Sequence, residues 1–74
     1  MEYILVTLNY SQNGSVDMKI PAFMTVDEFI GIICRVYDVS GTTLQAEPMG
    51  IILNKNLSFA EQQVEHGALL TLYS

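Results

Sequence analysis

Two segments of alternating polarity near the N-terminus constrain this chain more than any other feature of its sequence. Residues 3–10 and 15–20 alternate between apolar and more polar positions, and the turn-forming residues SQNG lie between them. Alternation with a period of two is typical of half-buried β-strands, so the two segments predict a β-hairpin. The apolar sides carry Ile4, Val6, Leu8 and Tyr10 in the first strand, and Val16, Met18 and Ile20 in the second.

The register of this hairpin follows from keeping one face apolar. A two-residue turn at Asn13 and Gly14 would place Leu8 opposite Lys19, which would turn one of the two side chains to the wrong face. A longer loop avoids this conflict, and it predicts Gly14 in a left-handed bulge position. The pairs of this preferred register are Leu8 with Val16, Val6 with Met18 and Ile4 with Ile20.

One amphipathic helix is predicted over residues 26–38, within the stretch TVDEFIGIICRVYDVSG. Thr25 is the expected N-cap, and Glu28 stands three residues later, which is the spacing of a capping box. Gly41 is the expected terminator of the helix. Pro21 ends the preceding strand because it has no N–H to donate to a ladder. Apolar residues recur at steps of three and four, at Val26, Phe29, Ile30, Ile33, Val36 and Tyr37.

The remainder of the chain predicts two more strands, over residues 49–53 and 68–73. A hairpin, one helix and further strands make an α+β protein with a β-grasp architecture, in which a mixed sheet packs on the helix. The last strand is apolar on both faces, so we expect it at the centre of the sheet, beside the first strand and parallel to it. Residues 42–57 leave open whether the sheet has an additional edge strand.

Composition restricts the classes of function. The chain has 74 residues, which fit a single domain over residues 1–74, and a net charge of −5. Its three cations, Lys19, Arg35 and Lys55, are too scattered to neutralise a row of phosphates, so we expect neither nucleic acid nor an anionic lipid surface as a partner. The single cysteine, Cys34, excludes an internal disulfide. The sequence shows no signal-peptide pattern and no membrane-length apolar run, so we expect a cytoplasmic protein.

No arrangement of side chains predicts an enzyme. Cys34 and His66 are the only cysteine and the only histidine, and no third group is placed to orient them as a nucleophile and a base. His66 instead belongs to the turn before the last strand. The adjacent carboxylates Asp27 and Glu28 point to different sides of a helix, and the helix start explains both. We therefore expect no catalytic residue, no metal site and no cofactor.

A family resemblance rests on the passages IPAFMTVDEFI and LSFAEQQVEHGALLTLY. The second passage contains the pattern V-x-x-G-x-x-L-x-L, formed by Val64, Gly67, Leu70 and Leu72. Over nearly its whole length, the sequence resembles the ubiquitin-like YukD/EsaB proteins of bacterial type VII secretion systems. The resemblance implies a ubiquitin-like fold and a small cytoplasmic accessory subunit. Such a subunit docks on the membrane-anchored ATPase of the machinery or on another core subunit, which brings it to the inner face of the cell membrane.

The alternative is a ubiquitin-like modifier or a sulfur carrier that acts through its C-terminus. Such a protein needs a flexible tail ending in Gly-Gly, because the activating enzyme must thread the terminal carboxylate into a narrow site. Here the last two residues are Tyr73 and Ser74, and the predicted strand 68–73 runs almost to the end. We therefore expect that this protein is not conjugated and that it acts by docking.

The sheet face away from the helix is the predicted docking surface. Apolar residues fall on both sides of the predicted strand 49–53, so at least one of them stays exposed. Ile52 also stands about where ubiquitin carries the exposed isoleucine of its recognition patch. A sheet covered by one helix leaves its second face to solvent, where Tyr3, Leu5, Ile52 and Leu69 are predicted to form an apolar interface. The same face is a candidate for homodimer contact.

Overall fold

The computed structural model describes residues 2–74 as a five-stranded sheet with one α-helix against it. The strands lie in the order β2-β1-β5-β3-β4. The last strand is parallel to the first and antiparallel to the third, so the sheet is mixed, as predicted. The elements are β1 Tyr3–Ser11, β2 Gly14–Pro21, α1 Val26–Tyr37, β3 Thr43–Glu47, β4 Ile51–Ile52, a 3₁₀ turn Ala60–Gln62, and β5 Ala68–Tyr73.

The β1–β2 hairpin has the predicted register. Its apolar residues lie opposite one another and share the face that is turned toward α1. The register shifts between Asn9 and Ser11, which leaves Tyr10 as an extra residue in β1. The confirmed pairs are Leu8 with Val16, Val6 with Met18 and Ile4 with Ile20.

Gly14 has a different role from the one predicted. It lies opposite Ser11, the bulge is in β1, and its φ is not positive, so the left-handed position predicted for it was wrong. A Cβ atom at this position would overlap the ring of Tyr10. That ring stacks on Tyr37 of α1 with the two centroids 4.1 Å apart. Glycine is needed here for the close approach of an aromatic ring rather than for its backbone freedom.

The helix begins as predicted and ends one residue earlier. The Thr25 hydroxyl accepts a hydrogen bond from the Glu28 N–H at 3.2 Å and donates to the Glu28 carboxylate at 3.0 Å. At the other end, Asp38 adopts the left-handed conformation with φ 53°. A short polar side chain tolerates that conformation, so Gly41 is not the terminator and that prediction was wrong. Gly41 instead passes the Leu72 side chain so closely that a Cβ atom would overlap it.

Residues 42–57 contain one strand that was not predicted and one that is shorter than predicted. Thr43–Glu47 forms β3, whose Leu44 and Ala46 are fully buried. Of the predicted strand 49–53, only Ile51–Ile52 is paired as β4, antiparallel to β3. The open question is thereby answered: the additional strand is β3, which lies between β5 and β4, and the edge of the sheet is formed by β4.

The core lies between α1 and one face of the sheet. Leu8, Leu44 and Leu70 project into it from three neighbouring strands and have no exposed surface. Phe59, also fully buried, meets the edge of Phe29 from α1 at a centroid distance of 5.3 Å. No helix among the described residues is long and apolar enough to cross a membrane.

Candidate functional site

The sheet face opposite α1 carries the candidate interaction surface. Tyr3 and Leu5 lie two residues apart on β1 and point away from the helix, with 46% and 52% of their surface exposed. Leu69 lies on the same face of the neighbouring strand β5, opposite Thr7. Leu69 is therefore a diagonal neighbour of Leu5, and side chains in such positions can touch. We refer to Tyr3, Leu5 and Leu69 as the apolar patch.

Ile52 shares this face but lies outside the apolar patch. It is 66% exposed on β4, opposite Gln45 of β3. Gln45 and Glu47 stand between Ile52 and Leu69, and the Gln45 amide donates a hydrogen bond to the Glu47 carboxylate at 2.8 Å. With about 4.8 Å between strands and about 3.3 Å per residue, Ile52 lies roughly 12 Å from Leu69. The structure brings three of the four predicted residues together and separates the fourth by a polar strip.

Charged groups of β2 border the apolar patch. Lys19 lies opposite Leu5, and its ammonium nitrogen is 5.7 Å from the centroid of the Tyr3 ring. Asp17 lies one pair further along and accepts a hydrogen bond from the Thr7 hydroxyl at 2.7 Å. A shallow concavity of about 440 Å³ opens between these side chains and the loop before β5. An apolar centre with a charged margin is the usual composition of a protein interface.

His66 supports the apolar patch in a way that sequence reasoning missed. Its Nδ1 atom accepts a hydrogen bond from the Leu5 N–H at 3.0 Å, and the Gly67 N–H donates to the Leu5 carbonyl at 2.8 Å. The loop before β5 is thereby fixed to β1 at the residue that forms the middle of the patch. The sequence placed His66 correctly in a turn, but a contact between residues 61 positions apart leaves no local signal.

Met49 extends the exposed apolar surface beyond the patch. It is 44% exposed in the turn between β3 and β4. With Pro48, His66 and Gly67 it lines a second concavity of about 420 Å³ at the end of the sheet. The predicted strand 49–53 already marked Met49 as an apolar residue, but its place beside the loop before β5 depends on the pairing of β3, which was not predicted.

Cys34 and His66 are not brought together as a catalytic pair. Cys34 is half-buried in α1, where its thiol donates to the Gly41 carbonyl at 3.7 Å. His66 is engaged with the backbone of β1, as described above. Within residues 2–74, no three His, Cys, Asp or Glu side chains are grouped so that they could hold a metal ion.

Solved structures identify the architecture. The C-terminal ubiquitin-like domain of mouse tubulin-specific chaperone e is similar with a TM-score of 0.80 and 19% identity, over 97% of this chain and 86% of that one. This chain has the ubiquitin-like β-grasp fold. The ubiquitin-like domain of the Mycobacterium tuberculosis type VII secretion system protein EccD1 is similar with a TM-score of 0.67 and 19% identity, over all of both chains.

A second mycobacterial domain is similar to the same extent. The EccD5 ubiquitin-like domain from Mycobacterium xenopi has a TM-score of 0.65 and 17% identity, over 100% of this chain and 98% of that one. At the level of sequence, no family model and no curated protein matches the chain. The fold implied by the resemblance to YukD/EsaB proteins is confirmed, and membership of that family stays a prediction.

Proposed function

We propose that this protein is a non-enzymatic, ubiquitin-like accessory subunit of a type VII secretion system. It acts in the cytoplasm by docking on the membrane-anchored ATPase of the machinery or on another core subunit, and these partners recruit it to the inner face of the membrane. Two observations support the system: the resemblance of the sequence to YukD/EsaB proteins, and the similarity of the fold to the EccD1 domain of a type VII secretion system.

The observation that supports docking is the composition of β1 on the open face. Its first two outward side chains, Tyr3 and Leu5, are apolar and about half exposed, whereas the next two, Thr7 and Asn9, are polar. Covering a half-exposed side chain of this size regains roughly 1 kcal/mol. A partner that covers these groups removes their apolar surface from water, and the concentration of exposed apolar side chains at one end of the strand is typical of an interface.

The absence of a catalytic role in this proposal also has a physical basis. Ubiquitin-like domains generally act through contacts with other proteins. The Cys34 thiol is directed at the Gly41 carbonyl and packs against the core, which leaves it poorly placed to attack a substrate. We therefore propose that the protein acts through contacts of its surface with other proteins and not by catalysis.

A matched pair of arginine substitutions tests the docking surface. Leu5→Arg places a charge in the apolar patch, whereas Phe23→Arg changes a side chain that is 66% exposed in the loop between β2 and α1. Affinity for the purified soluble part of the secretion ATPase is measured by calorimetry, and circular dichroism confirms that each variant is folded. We expect Leu5→Arg to weaken binding by about tenfold or more and Phe23→Arg to leave it unchanged.

Ile52→Arg measures how far the docking surface extends. Ile52 is as exposed as Phe23 but lies on the open face beyond the polar strip of Gln45 and Glu47. We expect it to weaken binding, by less than Leu5→Arg does. Wild-type affinity in both open-face variants, with native circular dichroism spectra, would rule out this face as the docking site. Failure of the wild-type protein to bind any type VII subunit would overturn the proposed function itself.

A further inference from the structure

The outer edge of β2 presents unpaired backbone groups. β2 is the outermost strand and is eight residues long, and within residues 2–74 it pairs with β1 alone. Leu5 of β1 directs its N–H to His66 and its carbonyl to Gly67, on the side of β5. Because Leu5 directs both groups away from β2, the residue opposite it, Lys19, must direct its own N–H and carbonyl outward from the sheet.

The same geometry recurs at every second residue of the strand. Backbone groups of an antiparallel strand alternate between its two sides, so Ser15 and Asp17 also direct N–H and carbonyl groups outward. Pro21, in phase with them, has no N–H, and its carbonyl already accepts a hydrogen bond from the Met24 N–H at 3.2 Å. We call the outward backbone groups of residues 15, 17 and 19 the β2 edge. The opposite edge of the sheet, β4, has only two residues and offers no comparable ladder.

The order of side chains along β2 selects one way of pairing two such edges. If two copies pair antiparallel with a two-fold axis at Met18, Asp17 of each copy lies opposite Lys19 of the other, and Ser15 lies opposite Pro21. A two-fold axis at Asp17 would oppose two carboxylates, and one at Lys19 would oppose two ammonium groups. Opposite charges across a strand pair stabilise it and like charges destabilise it, so only the register at Met18 is self-complementary.

The helix side of the strand adds apolar surface to the same contact. In the register at Met18, the two half-buried Met18 side chains lie opposite each other. Beside Met18, a groove of about 220 Å³ between β2 and α1 is lined by Met24, Ile32 and Val36. Ile32 and Val36 are 37% and 66% exposed, so a second copy would cover apolar groups of the helix as well as the strand.

We propose that two copies of this protein associate through their β2 edges, antiparallel and with the two-fold axis at Met18, to form one continuous sheet of ten strands. The occupant of the edge is a second copy because antiparallel pairing about Met18 places Asp17 of each copy opposite Lys19 of the other. The contact is one strand and the margin of one helix, which belongs to the small, weak class of interfaces. The paired strands lie at one edge of the sheet, so the dimer leaves Leu69 and Ile52 uncovered on the open face.

A charge exchange between residues 17 and 19 tests the proposal. Asp17→Lys alone opposes two pairs of cations, and Lys19→Asp alone opposes two pairs of carboxylates. The double variant D17K/K19D restores opposite charges at both positions. Sedimentation equilibrium from micromolar to millimolar protein measures the dissociation constant of each. We expect the wild type and the double variant to dimerise, and each single variant to dimerise at least about tenfold more weakly.

The double variant also controls for damage to the monomer. Asp17 accepts a hydrogen bond from Thr7, and Lys19 lies over Tyr3, so each single variant loses one contact within the monomer. The double variant loses both contacts and should nevertheless regain dimerisation. Three results would overturn the proposal: a wild type that stays monomeric at millimolar concentration, single variants that dimerise like the wild type, or a double variant as weak as the singles. If the wild type is monomeric, an extended segment of another protein becomes the candidate that pairs with the β2 edge by strand addition.

Amide exchange provides a second readout that needs no substitution. In the dimer, the N–H groups of Asp17 and Lys19 become hydrogen-bonded, whereas the N–H of Met18 already faces β1. Exchange at Asp17 and Lys19 should therefore slow as protein concentration rises, and exchange at Met18 should change little. Equal exchange rates for Asp17 and Lys19 at low and high concentration would contradict the pairing. Ile52→Arg, on β4 at the opposite edge of the sheet, should dimerise normally, which separates this test from that of the docking surface.

Discussion

The two faces of the sheet are built from the same strands but differ in how far their apolar side chains are buried. On the face toward α1, Leu8 of β1 and Leu70 of β5 are fully buried. On the opposite face, the same two strands carry Leu5, which is 52% exposed, and Leu69, which is partly exposed. Folding alone explains an apolar residue on the covered face. Folding does not explain the apolar residues of the open face in the same way, and the proposed docking partner would cover them.

The largest expected effect comes from truncating neighbouring residues of β5 that point to opposite faces. Leu70→Ala leaves a cavity in the core and should lower the free energy of unfolding by about 2–5 kcal/mol. A domain of this size holds about 4–11 kcal/mol in all, so the variant should be close to unfolding. Leu69→Ala, on the open face of the same strand, should cost less than about 1 kcal/mol. Urea denaturation followed by circular dichroism measures both.

The outcome of this pair decides whether the faces differ as described. Equal losses for the two variants would mean that Leu69 is part of the core and that the apolar patch is not a free surface. A small loss for Leu70→Ala would mean that the helix side can close over the cavity. Only a large difference between adjacent leucines supports a core on one side and an interaction surface on the other.

Sequence reasoning predicted the covered face better than the open one. The register of Leu8 with Val16 could be derived because the alternative two-residue turn, with Leu8 opposite Lys19, places one of these side chains on the wrong face. The strand β3 was missed because TLQAE is short and its inward residues, Leu44 and Ala46, give a weak apolar signal. Without β3, the position of Ile52 relative to Leu69 could not be known, since the polar strip between them belongs to β3.

Gly67 offers an intermediate test, because it determines how β5 enters the sheet. Its φ of 87° lies where a side chain is strained, although no atom within 4 Å would touch an added Cβ. Gly67→Ala should therefore cost about 1–2 kcal/mol through backbone strain alone. Gly31→Ala is the matched control, since Gly31 is exposed within α1 and also has open space around it. It should stabilise the protein by up to about 1 kcal/mol.

Opposite signs for these two glycine variants would show that conformation, not space, governs the loop before β5. If Gly67→Ala instead matched the wild type in thermal and urea unfolding, the loop would not depend on its left-handed residue. The hydrogen bonds of Leu5 to His66 and Gly67 would then tolerate another backbone path. In the expected case, the strain of Gly67→Ala also disturbs the apolar patch, because the same loop holds Leu5.

The smallest effect is expected from a polar contact of the open face. The Thr7 hydroxyl donates to Asp17 at 2.7 Å, but both groups face solvent, so water replaces the bond when it is lost. Thr7→Ala should lower the free energy of unfolding by about 0.5 kcal/mol, which also includes the lower strand propensity of alanine. Thr7→Val keeps the β-branched shape and removes only the hydroxyl, so it should be nearly neutral. If Thr7→Val lowers the free energy of unfolding by more than about 1.5 kcal/mol, the polar contacts of the open face stabilise the fold substantially. Burial of apolar side chains would then not be the main difference between the two faces.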